Sequence, residues 1–269
     1  MYDGSEIQKV ASKYITLQLT TTNTYDLAGR DSYMDMLDEP NTMEVLDPRE
    51  SNYYMSPDLW NRQVNDGLTE HENAEYYTSA FNYANVKIRN VGCANFSGSP
   101  NHYLKLYWTV ASTGENWKDD WDGTTQLASA GGGLPNVLPG GGEITTGSGI
   151  AIPALQPGQS TTITQPWSPV NPQDYYGAPT DLNVCLLARI VNPALWDDGM
   201  TFPEQFNKEI ITNVRPNNNI FTRNLWVKDL HTGNRSSRTR VLISNARDEA
   251  KTFDIQFIND RAINLHFAG

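Results

Sequence analysis

Six oxygen-bearing side chains crowd one stretch of this 269-residue chain: Asp26, Asp31, Asp35, Asp38, Glu39 and Asn41. Ca2+ takes about six to eight oxygen ligands, and a loop that gathers carboxylates and carbonyls supplies them. The spacing departs from the helix-loop-helix calcium pattern, so the run reads either as a Ca2+ site or as a solvated acidic loop. Asp58, after Pro57, could add a ligand or simply start a turn.

A second candidate rests on aromatic rings. Trp117 and Trp121 stand in a polar, acidic segment, where an amphipathic indole can stack on a sugar or pack under its own loop. Trp60, Trp108, Trp167 and Trp226 sit in or beside apolar strand patterns and are expected in the core. Cys93 and Cys185 allow one disulfide bridging two sheets. Cys93 follows a turn and Cys185 is opposite in parity to Val184 and Leu186, so two buried free thiols are the equal alternative.

Catalytic constellations are missing. His71, His102, His231 and His266 are scattered, with no His-Glu-x-x-His pair, and read as structural or surface residues. Gly147-Ser148-Gly149 lacks the full nucleophile-elbow pattern. Asp119, Asp120 and Asp122 are sequence neighbours, which rarely face each other across a substrate. With no nucleophile, base and orienting group to name together, the expectation is a non-catalytic chain.

The elements that must hold these residues are strands. Ala84, Val86 and Ile88 alternate with Asn85, Lys87 and Arg89, and Leu104, Leu106, Trp108 and Val110 alternate with Lys105, Tyr107 and Thr109. Period two puts one apolar and one polar face on each run, as a two-layer sheet structure requires. Tyr14–Thr20, Ser160–Trp167, Leu182–Val191 and Ile220–Leu230 read as further strands, Leu182–Val191 the most apolar and so central. Tyr25–Tyr77 and Ala111–Gly149 show no such period and are expected to be irregular inserts, the glycine runs 131–133 and 140–142 flexible surface loop.

Residues 1–12 read as a tail, 13–232 as one sandwich domain, and 233–269 as appended strands or the start of a second β module. The composition, 38% hydrophobic and 19% charged with abundant Gly and Pro, suits a folded, loop-rich β protein. A net charge of -11 would repel a phosphate backbone, which argues against nucleic-acid binding. No run approaches the roughly 20 apolar residues that span a bilayer. The weak start, without a secretory signal pattern, and the unfinished end suggest a mature fragment or a piece of a longer protein.

Taken in order, several short motifs resemble one family. They are Ser56-Pro57-Asp58-Leu59-Trp60, His71, Arg89-Asn90-Val91-Gly92, Leu106-Tyr107-Trp108 and Ala111-Ser112-Thr113-Gly114. The Leu155-Gln156-Pro157-Gly158 turn, Cys185-Leu186-Leu187-Ala188-Arg189, Asn217–Asn219 and Arg223-Asn224 follow. Over roughly residues 25 to 230 this order resembles a bacterial extracellular immunoglobulin-like module of the CARDB type. The resemblance implies an all-β, immunoglobulin-like sandwich with long loop inserts and an appended C-terminal hairpin. It also implies an accessory or adhesion role in a secreted or cell-surface protein, without catalytic residues. Neighbouring domains or identical subunits joining through edge strands into polymers are the expected partners, with a glycan as the alternative ligand.

Overall fold

The computed structural model describes residues 24–31, 54–76, 81–99, 102–111, 115–177, 180–192, 208–214 and 217–230. Its chain forms two compact units, Met1–Asn234 and Arg235–Gly269, the second outside the described residues. The expected strand Tyr14–Thr20 and the C-terminal hairpin also lie outside them.

The first unit is built of short strands. These are β1 (Leu27–Ala28), β2 (Leu59–Arg62), β3 (Ala74–Tyr76), β4 (Asn82–Asn90), β5 (Tyr103–Val110), β6 (Asn116–Trp117) and β7 (Gln126–Ala128). Then come β8 (Val137–Pro139), β9 (Gly141–Glu143), β10 (Ile150–Ala151), β11 (Ser160–Trp167), β12 (Asp181–Val191), β13 (Lys208–Glu209), the one-turn helix α1 (Ile211–Val214) and β14 (Ile220–Asp229). The architecture is an all-β sandwich. One sheet has β4 at its centre, β11 on one side, and β1 and β2 sharing the other. The second runs β10-β5-β12-β14-β3, with β9 also on β5. Every pairing is antiparallel except β3 on β14.

The alternation read from the sequence decides what meets between the sheets. Ala84, Val86 and Ile88 of β4 face Leu104 and Leu106 of β5, Val184, Leu186, Ala188 and Ile190 of β12, and Leu225 and Val227 of β14 in one core. Ala84, Val86, Ile88, Leu104, Leu106 and Leu186 are wholly buried. Such side chains each contribute roughly 1.5–3 kcal/mol relative to exposure, Ala84 less. As the apolar run predicted, β12 is central, paired to β5 on one flank and β14 on the other.

Both inserts are more regular than their sequences suggest. Tyr25–Tyr77 supplies β1, β2 and β3, and β2 is buried along its whole length, so it carries no alternation to read. In the second insert the run Gly140-Gly141-Gly142 is no flexible loop. Gly141 lies in β9 against β5, where a Cβ would collide with the Asp120 carbonyl, so only glycine lets the strand approach. Gly131, Gly132 and Gly133 do form an open turn, all at positive φ.

A buried charge cluster closes the first sheet. Asp58 is fully buried just before β2 and accepts from the backbone N–H of Arg30 at 2.9 Å, from Arg30 Nη2 at 3.2 Å and from both terminal nitrogens of Arg89, Nη2 at 2.9 Å. Ser56 Oγ donates to the Arg30 carbonyl at 2.6 Å and accepts from the Asp58 N–H at 3.1 Å. Burial pushes the Asp58 carboxyl up, but the Arg89 and Arg30 hydrogen bonds outweigh it and leave the group below its usual value. The residue is thus part of the frame, ionised and enclosed, rather than an open turn.

Among the described residues one edge is left open. Among the described residues β11 pairs only with β4. The Asn90 N–H donates to Gln159, and Asn90 stands opposite Gln159 in the β11 register, so the ladder bonds recur at every second residue. Ser160, Thr162 and Thr164 therefore turn their backbone N–H and C=O outward, and Pro166, which has no N–H, occupies the next outward position. That is where an edge strand tolerates proline.

Candidate functional site

The outer face of the six-stranded sheet carries a second apolar cluster, and it is here that the loop tryptophans go. Residues of β12 alternate, so Cys185, Leu187 and Arg189 point away from the inter-sheet core that takes Val184, Leu186 and Ala188. Tyr107 of β5 and Ile220 of β14 share that outer face with Leu187. The second insert and α1 fold over it, bringing Trp117, Trp121, Ile210 and Val214 down on the sheet. Trp117 meets Tyr107 edge to face at 5.5 Å between centroids, and the wholly buried Arg189 guanidinium lies 3.9 Å from its ring centre.

Trp117 is 1% exposed and Trp121 0% exposed, which corrects the expectation that they form a sugar platform. Their segment is polar because its other side faces water, while the indoles turn inward to cover an otherwise naked sheet face. The disulfide reading is corrected too: Cys93 is exposed, Cys185 is buried, and both are free. Cys185 points to the outer face of its sheet, away from the other layer, so it is on the wrong side to bridge them.

The cover is incomplete. Where it stops, a cleft of about 180 Å3 opens, lined by Tyr54, Glu115, Trp121, Cys185, Thr222 and Asn224. The Cys185 thiol donates to Asn224 Oδ1 at 2.7 Å and lies 3.8 Å from Glu115 Oε1. Burial, then the neighbouring Glu115 carboxylate, raises this thiol well above its usual value, so at neutral pH it is a protonated donor and not a nucleophile. The Trp121 indole N–H has no acceptor among the described residues. The cleft wall is thus mostly polar, with a carboxylate, an amide, hydroxyls and a thiol.

Beyond the cleft no described element covers the sheet face. Trp226 follows Asn224 by two residues on β14, so both side chains stand on this face, and Asn183 of β12 is its direct cross-strand partner. Trp226 is 47% exposed, against the expectation of a core residue. Its inward neighbours Leu225 and Val227 take the core positions, and parity leaves Trp226 outside. Keeping about half an indole in water forgoes roughly 2–3 kcal/mol of burial. Trp108 and Trp167 do pack on the inter-sheet core, while Trp60, opposite Asn85 in β2, is buried on the other face of the first sheet with its Nε1 donating to the Leu68 carbonyl at 2.9 Å.

Of the acidic run, Asp26 and Asp31 are described, while Asp35, Asp38, Glu39 and Asn41 lie outside the described residues. Burial raises the Asp26 carboxyl, with an opposing contribution from Asn218, and Asp31 is buried. Among the described residues no three Asp, Glu, His or Cys side chains are grouped to hold a metal. Asp120 braces its own loop, accepting from the Asn116 N–H at 2.6 Å and the Thr125 hydroxyl at 2.6 Å.

His71 is structural. Its Nδ1 accepts the Asn61 N–H at 3.2 Å, and burial, with Arg223 and Arg62 nearby, lowers its pKa to about 4 from 6.5. Between those values the unfolded chain takes up a proton that the folded chain refuses. Stability is therefore full above about pH 6.5 and falls as pH drops towards 4, by about 2–3 kcal/mol after allowance for partial exposure. Urea unfolding at pH 7 and pH 4.5 should show that loss in the native chain and a clearly smaller one in His71→Gln.

No protein-family model and no curated protein matches the chain. Among solved structures it is similar to a hemolymph-type prophenoloxidase (proPOb) from a crustacean, with a TM-score of 0.32 and 12% identity over 62% of this chain and 28% of that one. The chain thus spans little more than a quarter of that protein, and a likeness so slight carries no functional argument.

Proposed function

We propose that this chain is a non-catalytic structural or adhesion module of a secreted or cell-surface bacterial protein, of the CARDB-like kind its motif order resembles, joining its neighbours by strand addition. The open edge of β11 carries the reading. Ser160–Trp167 contains no charged residue, and among the described residues its outward groups at Ser160, Thr162 and Thr164 have only Pro166 as a guard. Soluble proteins normally protect such an edge with lysine, a bulge or a covering loop. The occupant we assign is residues 252–258 of another copy, where Phe253, Ile255 and Phe257 alternate with polar positions. A head-to-tail contact of this kind extends into a filament unless its rotation closes it. Ca2+ bound by the Asp26 to Asn41 segment would stiffen the same module.

Sedimentation velocity over a wide concentration range tests this. The full chain is expected to form large species with rising concentration. Deleting 238–269, or replacing Thr162 by proline to remove one outward N–H, should return monomer with the fold intact. A full chain that stays monomeric throughout overturns the assembly. Melting runs with and without a chelator address the cation, and an unchanged midpoint removes Ca2+ from the proposal.

A further inference from the structure

The outer face of the six-stranded sheet is half covered. Row by row from one end, Ile220 with Arg189 and then Leu187 lie in the part that the insert and α1 cover, Thr222, Asn224 and Cys185 line the cleft, and in the next row Trp226 is exposed beside the half-buried Asn183. Successive rows on one face are roughly 7 Å apart, so the exposed indole stands one row from the cleft mouth.

We propose that this open half binds a neutral saccharide, one sugar ring stacked on Trp226 and its hydroxyls meeting Asn183, Asn224 and the Glu115 side of the cleft. An indole face suits the apolar C–H side of a pyranose, and it must be half bare to do so, as Trp226 is. The surrounding groups select the class. Two amides offer paired donors and acceptors of the kind that vicinal hydroxyls need. The Glu115 carboxylate and a net charge of -11 disfavour an anion. The Cys185 thiol, protonated and donating to Asn224, and the Thr222 hydroxyl add no charge to the wall. A cleft of about 180 Å3 is smaller than a drug-sized site, which fits the edge of one ring and leaves the rest of the chain of sugars lying on the sheet. The site is independent of β11, which belongs to the other sheet.

The test is calorimetric titration of the full chain with neutral gluco-, xylo-, manno- and galacto-oligosaccharides, from di- to hexasaccharide, with choline as a quaternary-ammonium control. Saturable binding to at least one series is expected, with quenching of tryptophan fluorescence. Trp226→Ala should weaken it about tenfold or more at an unchanged melting midpoint, Trp226→Tyr should retain most of it, and Asn183→Ala should weaken it less than Trp226→Ala. Absence of binding to every series overturns the proposal, as does binding that survives Trp226→Ala or that is found for choline alone.

Discussion

Alanine at position 58 is expected to destabilise the sandwich by about 3–5 kcal/mol, because it removes the one carboxylate that two guanidinium groups share inside the fold. Arg89 is mostly buried and would be left without its partner, while Arg30, with a third of its side chain exposed, can turn to water. Arg30→Ala should therefore cost much less than Asp58→Ala, and the pair of variants separates a buried charge cluster from a surface ion pair. Asp58→Asn, which keeps the shape and loses the charge, should fall between them. Urea unfolding at neutral pH measures all three, with an unchanged denaturant slope confirming that the same surface is exposed. The acid limb gives a second check. The Asp58 carboxyl is held below its ordinary value, so its contribution is complete above that value, near 3.8, and vanishes as pH falls through the lower, folded one. In Asp58→Ala this part of the acid sensitivity should be missing.

The second large effect is expected at Trp117. Truncation to alanine should cost about 3–5 kcal/mol, since it empties a fully buried indole site and strips the aromatic face from the buried Arg189. Trp121→Ala should behave alike. The loss should be regional: hydrogen exchange is expected to quicken in the ribbon formed by β6 and β13, while β4 and β12, held by the separate inter-sheet core, keep their protection. A solvent-facing ligand platform would give the opposite result, lost binding at full stability. Trp226→Ala supplies that contrast within the same molecule.

The sandwich was legible where strands are long and two-faced. Ala84, Val86 and Ile88 announce β4, Leu104 and Leu106 announce β5, and the apolar run from Leu182 announces a strand between two others. Reading stopped where strands shorten to two to four residues or are buried on both faces, as in β1 and β2. It failed for the tryptophans for one reason. A neighbourhood's polarity describes the chain around a ring, not the ring's direction. Trp117 and Trp121 sit among acids yet turn inward, and Trp226 sits among leucine and valine yet turns out. Parity carried the correct signal in β14, since Phe221, Leu225 and Val227 occupy one face and Trp226 the other. The opposite parity of Cys185 to Val184 and Leu186 likewise foretold a thiol aimed away from the second sheet. Asp58 gave less notice, because its two arginines stand 28 positions before it and 31 after it.

Pro166 sets a limit on whatever docks along β11. A segment added there as proposed would zip along Ser160, Thr162 and Thr164 and then run out of donors, so the seam would be only a few bonds long. At a net worth of roughly 0.5–1.5 kcal/mol per bond, such a seam comes apart readily on its own. Lasting cohesion would then have to come from many copies engaged at once, each joint free to open and re-form under load.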